Sequence, residues 1–518
     1  MNGAQALLQA LVKSGIEICF ANPGTSEMHL LLAIGKSDAI RPILCLFEGV
    51  ATGAADGYGR MADKPAITLL HMGPGFANGM ANLHNAHKAH VPLINIVGNH
   101  AVHHLQYDSP LNSDVPAHAR ICSDWVHVSE SADDLAASGF SAMQASMKGW
   151  GKIATIIVPS NHAWEEACIV PSPLPPPPME TVLPATIDDM AAMLSNGKRT
   201  ALILGGRALR EDALKAAGRI ADTTGVALLC ETFPARMQRG AGRVKVVRIP
   251  YPVENALELL QHYEQFILAG AQVPVAFFAY PGKPSLLIPE GCNVQTLARI
   301  DTCAASALKR LADRLKASSE PIQIQASGAA LPLPTGALTP QSIAASINIL
   351  LPDQAIVSDE GVTSGFGIYV STENAAPHDW LAITGGAIGQ GLPVSLGAAV
   401  ACPDRKVVAL QADGSAMYTV QALWTLARVK ADVTVILFNN RSYAILNHEL
   451  ARVGAGQPND QTLSMLKLSP PDIDWVHIAL GMGVRATRCR TADEFHLQFA
   501  DAMKTKGPSL IEALLMAS

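Results

Sequence analysis

Residues 407–440, VVALQADGSAMYTVQALWTLARVKADVTVILFNN, carry two continuous apolar runs separated by one helical pattern. An apolar run without alternation suits a strand buried on both faces, and two such runs joined by a helix form a parallel βαβ unit. The arrangement recurs along the chain. IEICF, ILCLF, AITLL and PLINIV lie in the first third, and TALILGG, GVALLC, VKVVRI and VPVAFF in the middle. QAIVS, WLAIT, KVVALQ, VTVILF and PSLIEALL follow in the last third. The pattern predicts an α/β protein of three doubly wound parallel-sheet domains.

Two proline-rich passages, CIVPSPLPPPPMETVLP (168–184) and SSEPIQIQASGAALPLPTGALTP (318–340), read as stiff, extended linkers. They divide the chain into units 1–170, 183–320 and 338–518, in keeping with 518 residues at ~150 per domain. Only 16% of residues are charged and 49% are hydrophobic, which implies a large interior and apolar surface left for self-association. The net charge of -6 comes without any basic block, so no nucleic-acid partner is expected. Nine scattered Cys with no CxxC pair suit reduced core thiols. The opening MNGAQALLQALVKSG reads as an amphipathic helix without the basic start or cleavage site of a signal peptide. FILAGAQVPVAFFAYPG is too interrupted to span a bilayer. A cytoplasmic protein with no membrane partner is the expectation.

In a parallel sheet, ligands gather beyond the carboxyl ends of strands, where Asp413 and Asn440 fall. A carboxylate, an amide oxygen and a nearby backbone carbonyl make an oxygen-only half-shell that suits Mg²⁺ bridging to phosphates. Gly414 permits close backbone approach, and Ser415 with the following helix start offers donors to an anion. Either tripeptide alone is better read as a helix cap or a turn; together, at successive strand ends, they point to a cation.

Asp-Gly-Ser followed at this interval by Asn-Asn resembles the thiamine diphosphate-binding motif of the 2-oxo acid decarboxylase and acetolactate synthase superfamily, with Ala412 where that motif has Gly. The resemblance implies pyrimidine-binding, middle and pyrophosphate-binding domains in that order. It implies that Asp413, Asn440 and the backbone oxygen of Ser442 hold Mg²⁺. The diphosphate would meet Gly414, Ser415, Tyr443, Ala444 and Ile445, with Thr363 and Ser364 of SDEGVTSG also in contact. In TGGAIGQGLPVSLGAAV, Gly386 would receive the pyrimidine amine on its carbonyl, and Ile388 would wedge between the rings, though plain core suits Ile388 equally.

The cofactor of this superfamily needs one carboxyl in a dry place to act on its pyrimidine. ILCLFEGVATGAADGYGR supplies Glu48 after an apolar run, in a pattern similar to the superfamily's catalytic-glutamate helix. By that likeness Glu48 serves the cofactor of a partner chain, and small Ala54, Ala55 and Gly57 would let two such helices pack across the subunit boundary. A homodimer is the implied minimum, and a homotetramer the expected assembly.

His71 follows a strand and precedes Gly73-Pro74-Gly75, so it should enter a cleft and relay protons. Benzoylformate decarboxylase-like members carry His here, whereas Gly-Pro-Gly is more similar to acetolactate synthases. Thr25 matches a position that holds the substrate carboxylate; Asn78 is a further candidate. Tyr280-Pro281 falls where the decarboxylase branch supplies a second His. Replacements for it would be His71, His100, His103, His104 or Tyr280, although NHAVHHLQYDSP reads equally as a solvated loop. The implied substrate is a small 2-oxo acid that loses carbon dioxide and then yields an aldehyde or joins a second carbonyl. The alternatives are an acetolactate synthase-like carboligase, with or without a flavin in the middle domain, or a catalytically silent paralogue.

Overall fold

The computed structural model describes residues 1–168, 175, 177–327 and 332–516. Parts of both proline-rich passages, 169–174, 176 and 328–331, lie outside the described residues. Three sheets organise the rest. The first, in order β2-β1-β3-β4-β6-β5, is wholly parallel. Its strands are β1 (Ile18–Asn22), β2 (Arg41–Leu44), β3 (Ile67–Leu70), β4 (Leu93–Asn99), β5 (Trp125–Val128) and β6 (Ile153–Pro159).

The second sheet, β10-β8-β7-β11-β12, is also parallel. It holds β7 (Thr200–Leu204), β8 (Ala227–Cys230), β10 (Val247–Arg248), β11 (Gln265–Ala269) and β12 (Asn293–Ala298). The third runs β17-β18-β16-β15-β13-β14-β9. Its members are β13 (Ala355–Glu360), β14 (His378–Ala382), β15 (Val407–Ala412), β16 (Val433–Asn439), β17 (Arg485–Cys489) and β18 (Ser509–Leu514). The last edge, β9 (Met237–Arg239), is antiparallel and comes from the middle of the chain, so the second unit lends a strand to the third. Among the described residues no helix is long and apolar enough to cross a membrane.

The helix α1 (Gly3–Lys13) starts with an Asn2–Gln5 capping box, as its polar N-terminal residues allow. One apolar run is not a strand. VPVAFF was expected to continue the central sheet, but the strand there is QFILA, and 273–278 turns away after Gly270 and Pro274. Pro lacks the N–H a central strand needs. The aromatic side chains of this segment instead meet Phe233, Tyr251 and the turn at Gly386.

The three units are locked by two helices and one guanidinium. The helix α2 (Glu48–Ala62) is buried along all but its last residue. It lies against α4 (Gly391–Ala401), while α3 (Met72–Lys88) packs beside it. A Cβ at Gly57 would land on the Val394 carbonyl, and one at Gly397 on the Ala54 carbonyl. The small-residue face of α2 is therefore spent inside the chain, on α4. It is not free to pair with a second α2 across a subunit boundary, contrary to expectation, because Gly397 lets the backbone of α4 lie against it within the chain.

Arg60 places all five of its N–H donors. Asp56 takes two at 2.8 Å each, Ala382 O one at 2.7 Å, Ala235 O one at 3.1 Å and Thr384 Oγ1 one at 3.1 Å. The pair is fully buried, so its desolvation is repaid only because every donor has a partner. Lys at this position keeps the charge and loses the planar fork. Arg60→Lys is expected to cost about 3–5 kcal/mol, read as a lowered Tm in a calorimetric scan.

Candidate active site

β15 and β16 pair directly, Val407 with Val433 through Ala412 with Phe438, joined by α5 (Ala422–Val429). Their carboxyl ends therefore meet, and β13 ends beside them. A cleft opens there, lined by residues 361–364, Ile388, 412–415, Asn440 and 442–445. Thr363, Ser364, Ile388, Asp413, Gly414, Ser415, Asn440, Ser442, Tyr443, Ala444 and Ile445 all lie on it.

The turn after β16 is made by Arg441 at φ 59°, and it wraps the backbone around Asp413. Asp413 Oδ2 accepts from Arg441 N at 2.7 Å, and Oδ1 from Gly414 N at 2.9 Å. Asn440 Oδ1 accepts from Ser442 N at 3.0 Å. Burial pushes the Asp413 carboxyl up to about 6, against the pull of these backbone donors. Gly414 has no Cβ because the Tyr443 ring, at the start of α6 (Ala444–Arg452), occupies that space.

Gly386 lies outside the cleft lining, with φ 75° and the Phe277 ring against it. Its turn is docked on α3 of the same chain. Asn85 Nδ2 donates to Ala387 O at 2.8 Å, Ala387 N donates to Asn85 Oδ1 at 3.2 Å, and Asn82 Nδ2 donates to Gly389 O at 3.2 Å.

A second cluster stands at the carboxyl ends of the first sheet. Glu48, 6% exposed at the start of α2, accepts from Asn78 Nδ2 at 3.0 Å. His71 follows β3, and its Nδ1 lies 2.9 Å from Glu27 Oε2. Glu27 is fully buried and also accepts from Gly24 N at 2.8 Å and Ser26 Oγ at 2.5 Å. A carboxylate in that setting accepts the Nδ1 proton, which leaves Nε2 as the acceptor on the far side of the ring. Thr25 is exposed beside this cluster.

The other sequence candidates scatter. His103 and His104 are exposed on the turn Val102–Tyr107, and His100 hydrogen-bonds Ser109 at 3.1 Å. Burial, His104 and His71 push the His100 imidazole down. Tyr280 is buried in the central domain, with no hydrogen-bond partner for its hydroxyl among the described residues. Sequence reasoning missed Glu27, Asn82 and Asn85. Gly24 N donates to Glu27 Oε2, but Gly24 has no side chain to complete a capping box, so nothing local marks any of the three.

Residues 1–119 match the family model described as thiamine pyrophosphate enzyme, N-terminal TPP binding domain, and residues 365–513 match its C-terminal TPP binding domain. The chain is 47% identical over 518 residues to "Putative acetolactate synthase large subunit IlvX" of Mycobacterium tuberculosis, covering 99% of each chain. It is 25% identical over 534 residues to benzoylformate decarboxylase of Pseudomonas aeruginosa, covering 98% of this chain and 97% of that one. A solved thiamine diphosphate-dependent 4-hydroxybenzoylformate decarboxylase of Rhodococcus jostii shares the fold, with a TM-score of 0.87 at 24% identity and full coverage of both chains. The chain belongs to the thiamine pyrophosphate enzyme family, alongside acetolactate synthase large subunits and benzoylformate decarboxylase.

Glu27 should dictate the tautomer of His71. In ¹⁵N spectra of labelled protein, the native chain is expected to show His71 protonated at Nδ1, and Glu27→Gln a mixture of tautomers. An unchanged spectrum would remove that role from Glu27.

Proposed function

We propose that the protein is a Mg²⁺- and thiamine diphosphate-dependent enzyme that removes carbon dioxide from a 2-oxo acid and then releases an aldehyde or joins the remaining fragment to a second carbonyl. The observation that carries this reading is the pairing of an all-oxygen cleft at Asp413 and Asn440 with a separate buried acid at Glu48. The residues fit the cofactor. Asp413 is a carboxyl pushed up by burial, and its oxygens with that of Asn440 are the hard donors a divalent cation would take. Asp413, Asn440 and the Ser442 carbonyl would hold Mg²⁺. Gly414, Ser415, Thr363, Ser364, Tyr443, Ala444 and Ile445 would take the diphosphate, with Gly386 and Ile388 at the rings.

Bound thiamine diphosphate supplies the electron sink that a departing carboxylate needs. The Glu48 carboxyl, oriented by Asn78 through Oε2, would act on the pyrimidine of the bound cofactor. His71 moves a proton at Nε2, with Glu27 fixing the ring. The Thr25 hydroxyl orients the substrate carboxylate.

Within one chain, Glu48, His71 and Thr25 do not line the Asp413 cleft, so each chain offers two half-sites. Leu46 beside Glu48, and Met417, Tyr418 and Leu446 beside the cleft, are 43–54% exposed. Apolar rims on both half-sites support a homodimer in which Glu48 of one chain faces the cleft of the other, and a homotetramer built from two such pairs. Substrate traffic needs neither nucleic acid nor membrane, and the expected location is cytoplasmic.

His71 with its buried carboxylate supports aldehyde release. The Trp150 indole packs on Gly206 and Gly270 at the carboxyl ends of β7 and β11 and lines a pocket there with Glu231, Phe233 and Gln272. That is the switch point of the central sheet, where a flavin dinucleotide would lie. The 47% identity to a chain named as an acetolactate synthase large subunit favours carboligation as the second reading.

Purified protein given a panel of 2-oxo acids, with and without an acceptor aldehyde, should form an aldehyde from a lone 2-oxo acid and show no flavin absorbance. Glu48→Gln is expected to cut turnover by ~10²-fold or more while cofactor binding stays within a few-fold. Unchanged turnover would sink the role given to Glu48. Asp413→Asn should abolish metal-dependent cofactor binding, measured by calorimetric titration with thiamine diphosphate and Mg²⁺.

A further inference from the structure

Glu360 ends β13, is 1% exposed, and takes no part in the chemistry above. Its Oε1 accepts from Gly389 N at 2.6 Å and Gln390 N at 3.3 Å. Its Oε2 accepts from Gly391 N at 2.6 Å and Gln411 Nε2 at 2.8 Å. The backbone donors open α4, where an anion is favoured by the unpaired N–H groups and the helix dipole. They belong to the same turn that carries Ile388 to the cleft. Burial pushes the Glu360 carboxyl up, but four N–H donors occupy its four lone-pair directions and hold it as a carboxylate.

Gln411 continues the chain of contacts. Its Nε2 also donates to Ser415 Oγ at 2.7 Å, and Ser415 lines the same cleft as Ile388. Ser415 Oγ in turn donates to Ala412 O at 3.1 Å, a bond it can exchange for an anion. Two buried side chains, the Glu360 carboxylate and the Gln411 amide, thus separate the Ile388 turn from the hydroxyl at the diphosphate end. Among the described residues Gln411 Oε1 is buried without a partner, so the amide is held only through the Nε2 bonds to Glu360 and Ser415.

We propose that Glu360 is a positioning residue that, through Gln411, couples the Gly389–Gly391 turn to Ser415, so that an anion seated at Ser415 tightens the presentation of Ile388. The proposal rests on reading the Asp413 cleft as a diphosphate site. When Ser415 donates its proton to an anion, its oxygen becomes a better acceptor for Gln411, and the pinned amide holds the Glu360 carboxylate in place. A carboxylate that merely capped α4 would hold the turn equally with or without the anion.

Hydrogen exchange on the full chain with Mg²⁺ and inorganic pyrophosphate separates the two. In the native protein, pyrophosphate should slow exchange at 413–415 and, by about tenfold, at the 389–391 amides it does not touch. Gln411→Leu should keep the protection at 413–415 and lose the response at 389–391. Glu360→Gln places an NH₂ against the backbone donors and should leave 389–391 fast with or without pyrophosphate; if that variant does not fold, the Gln411→Leu comparison decides alone. A response at 389–391 that survives in Gln411→Leu would overturn the coupling. So would native protein that binds pyrophosphate at 413–415 without slowing 389–391. No protection at 413–415 in the native protein would remove the diphosphate reading itself, and the coupling with it.

Discussion

Arg60 brings five N–H donors into the space where three sheets meet, and they find acceptors on three pieces of chain: Asp56, Ala235, and the Ala382–Thr384 stretch. Its neighbours extend the junction. Arg236 reaches Asp379 at 2.6 Å and the Arg60 and Met61 carbonyls, and Arg210 reaches Asp63 and the Arg60 carbonyl. A guanidinium is rigid and cannot shed its charge, so such a junction tolerates little relative movement of the units. Next to it, α2 and α4 touch backbone to backbone through Gly57 and Gly397. Because α2 begins with Glu48 and α4 begins beside Ile388, this one contact sets where both half-sites stand.

The half-sites use the same device in different forms. At each, a strand stops at the edge of a parallel sheet and a polar side chain follows at once: His71 after β3, Glu360 at the end of β13, Asp413 after β15, Asn440 after β16. Each is then held by acceptors or donors that the fold supplies from elsewhere. Glu27 holds His71, and the backbone of the Asn440–Ser442 turn holds Asp413. Burial raises the cost of every unpaired charge, and the arrangement meets that cost with backbone N–H groups.

What could be read without coordinates was whatever lies close along the chain. Asp413 and Asn440 are separated by a single βαβ unit, so strand periodicity alone brings them to one edge. Glu48 and His71 each directly follow an apolar run, and the run announces them. Glu27 and His71 lie 44 residues apart, and Glu360 meets partners 29 to 51 residues away, so no local pattern links them. The small face of α2 was legible as a surface that permits close approach. Its partner was not, because glycine declares that a backbone will come near without saying whose. VPVAFF misled for a related reason: apolar content resembles a buried strand, while Pro274 and the aromatic side chains serve a turn.

The sequence by itself determined the α/β alternation, the strand-end placement of Asp413, Asn440 and His71, and the helix start at Glu48. These depend on backbone geometry and on side-chain chemistry within one supersecondary unit. Only the tertiary structure decided that α2 buries itself on α4, that β9 crosses to the third sheet, and that Glu48 and the Asp413 cleft stay apart within one chain. Those outcomes depend on which distant surfaces fit and which buried charges find enough donors, and contacts of that kind exist only once the chain has folded.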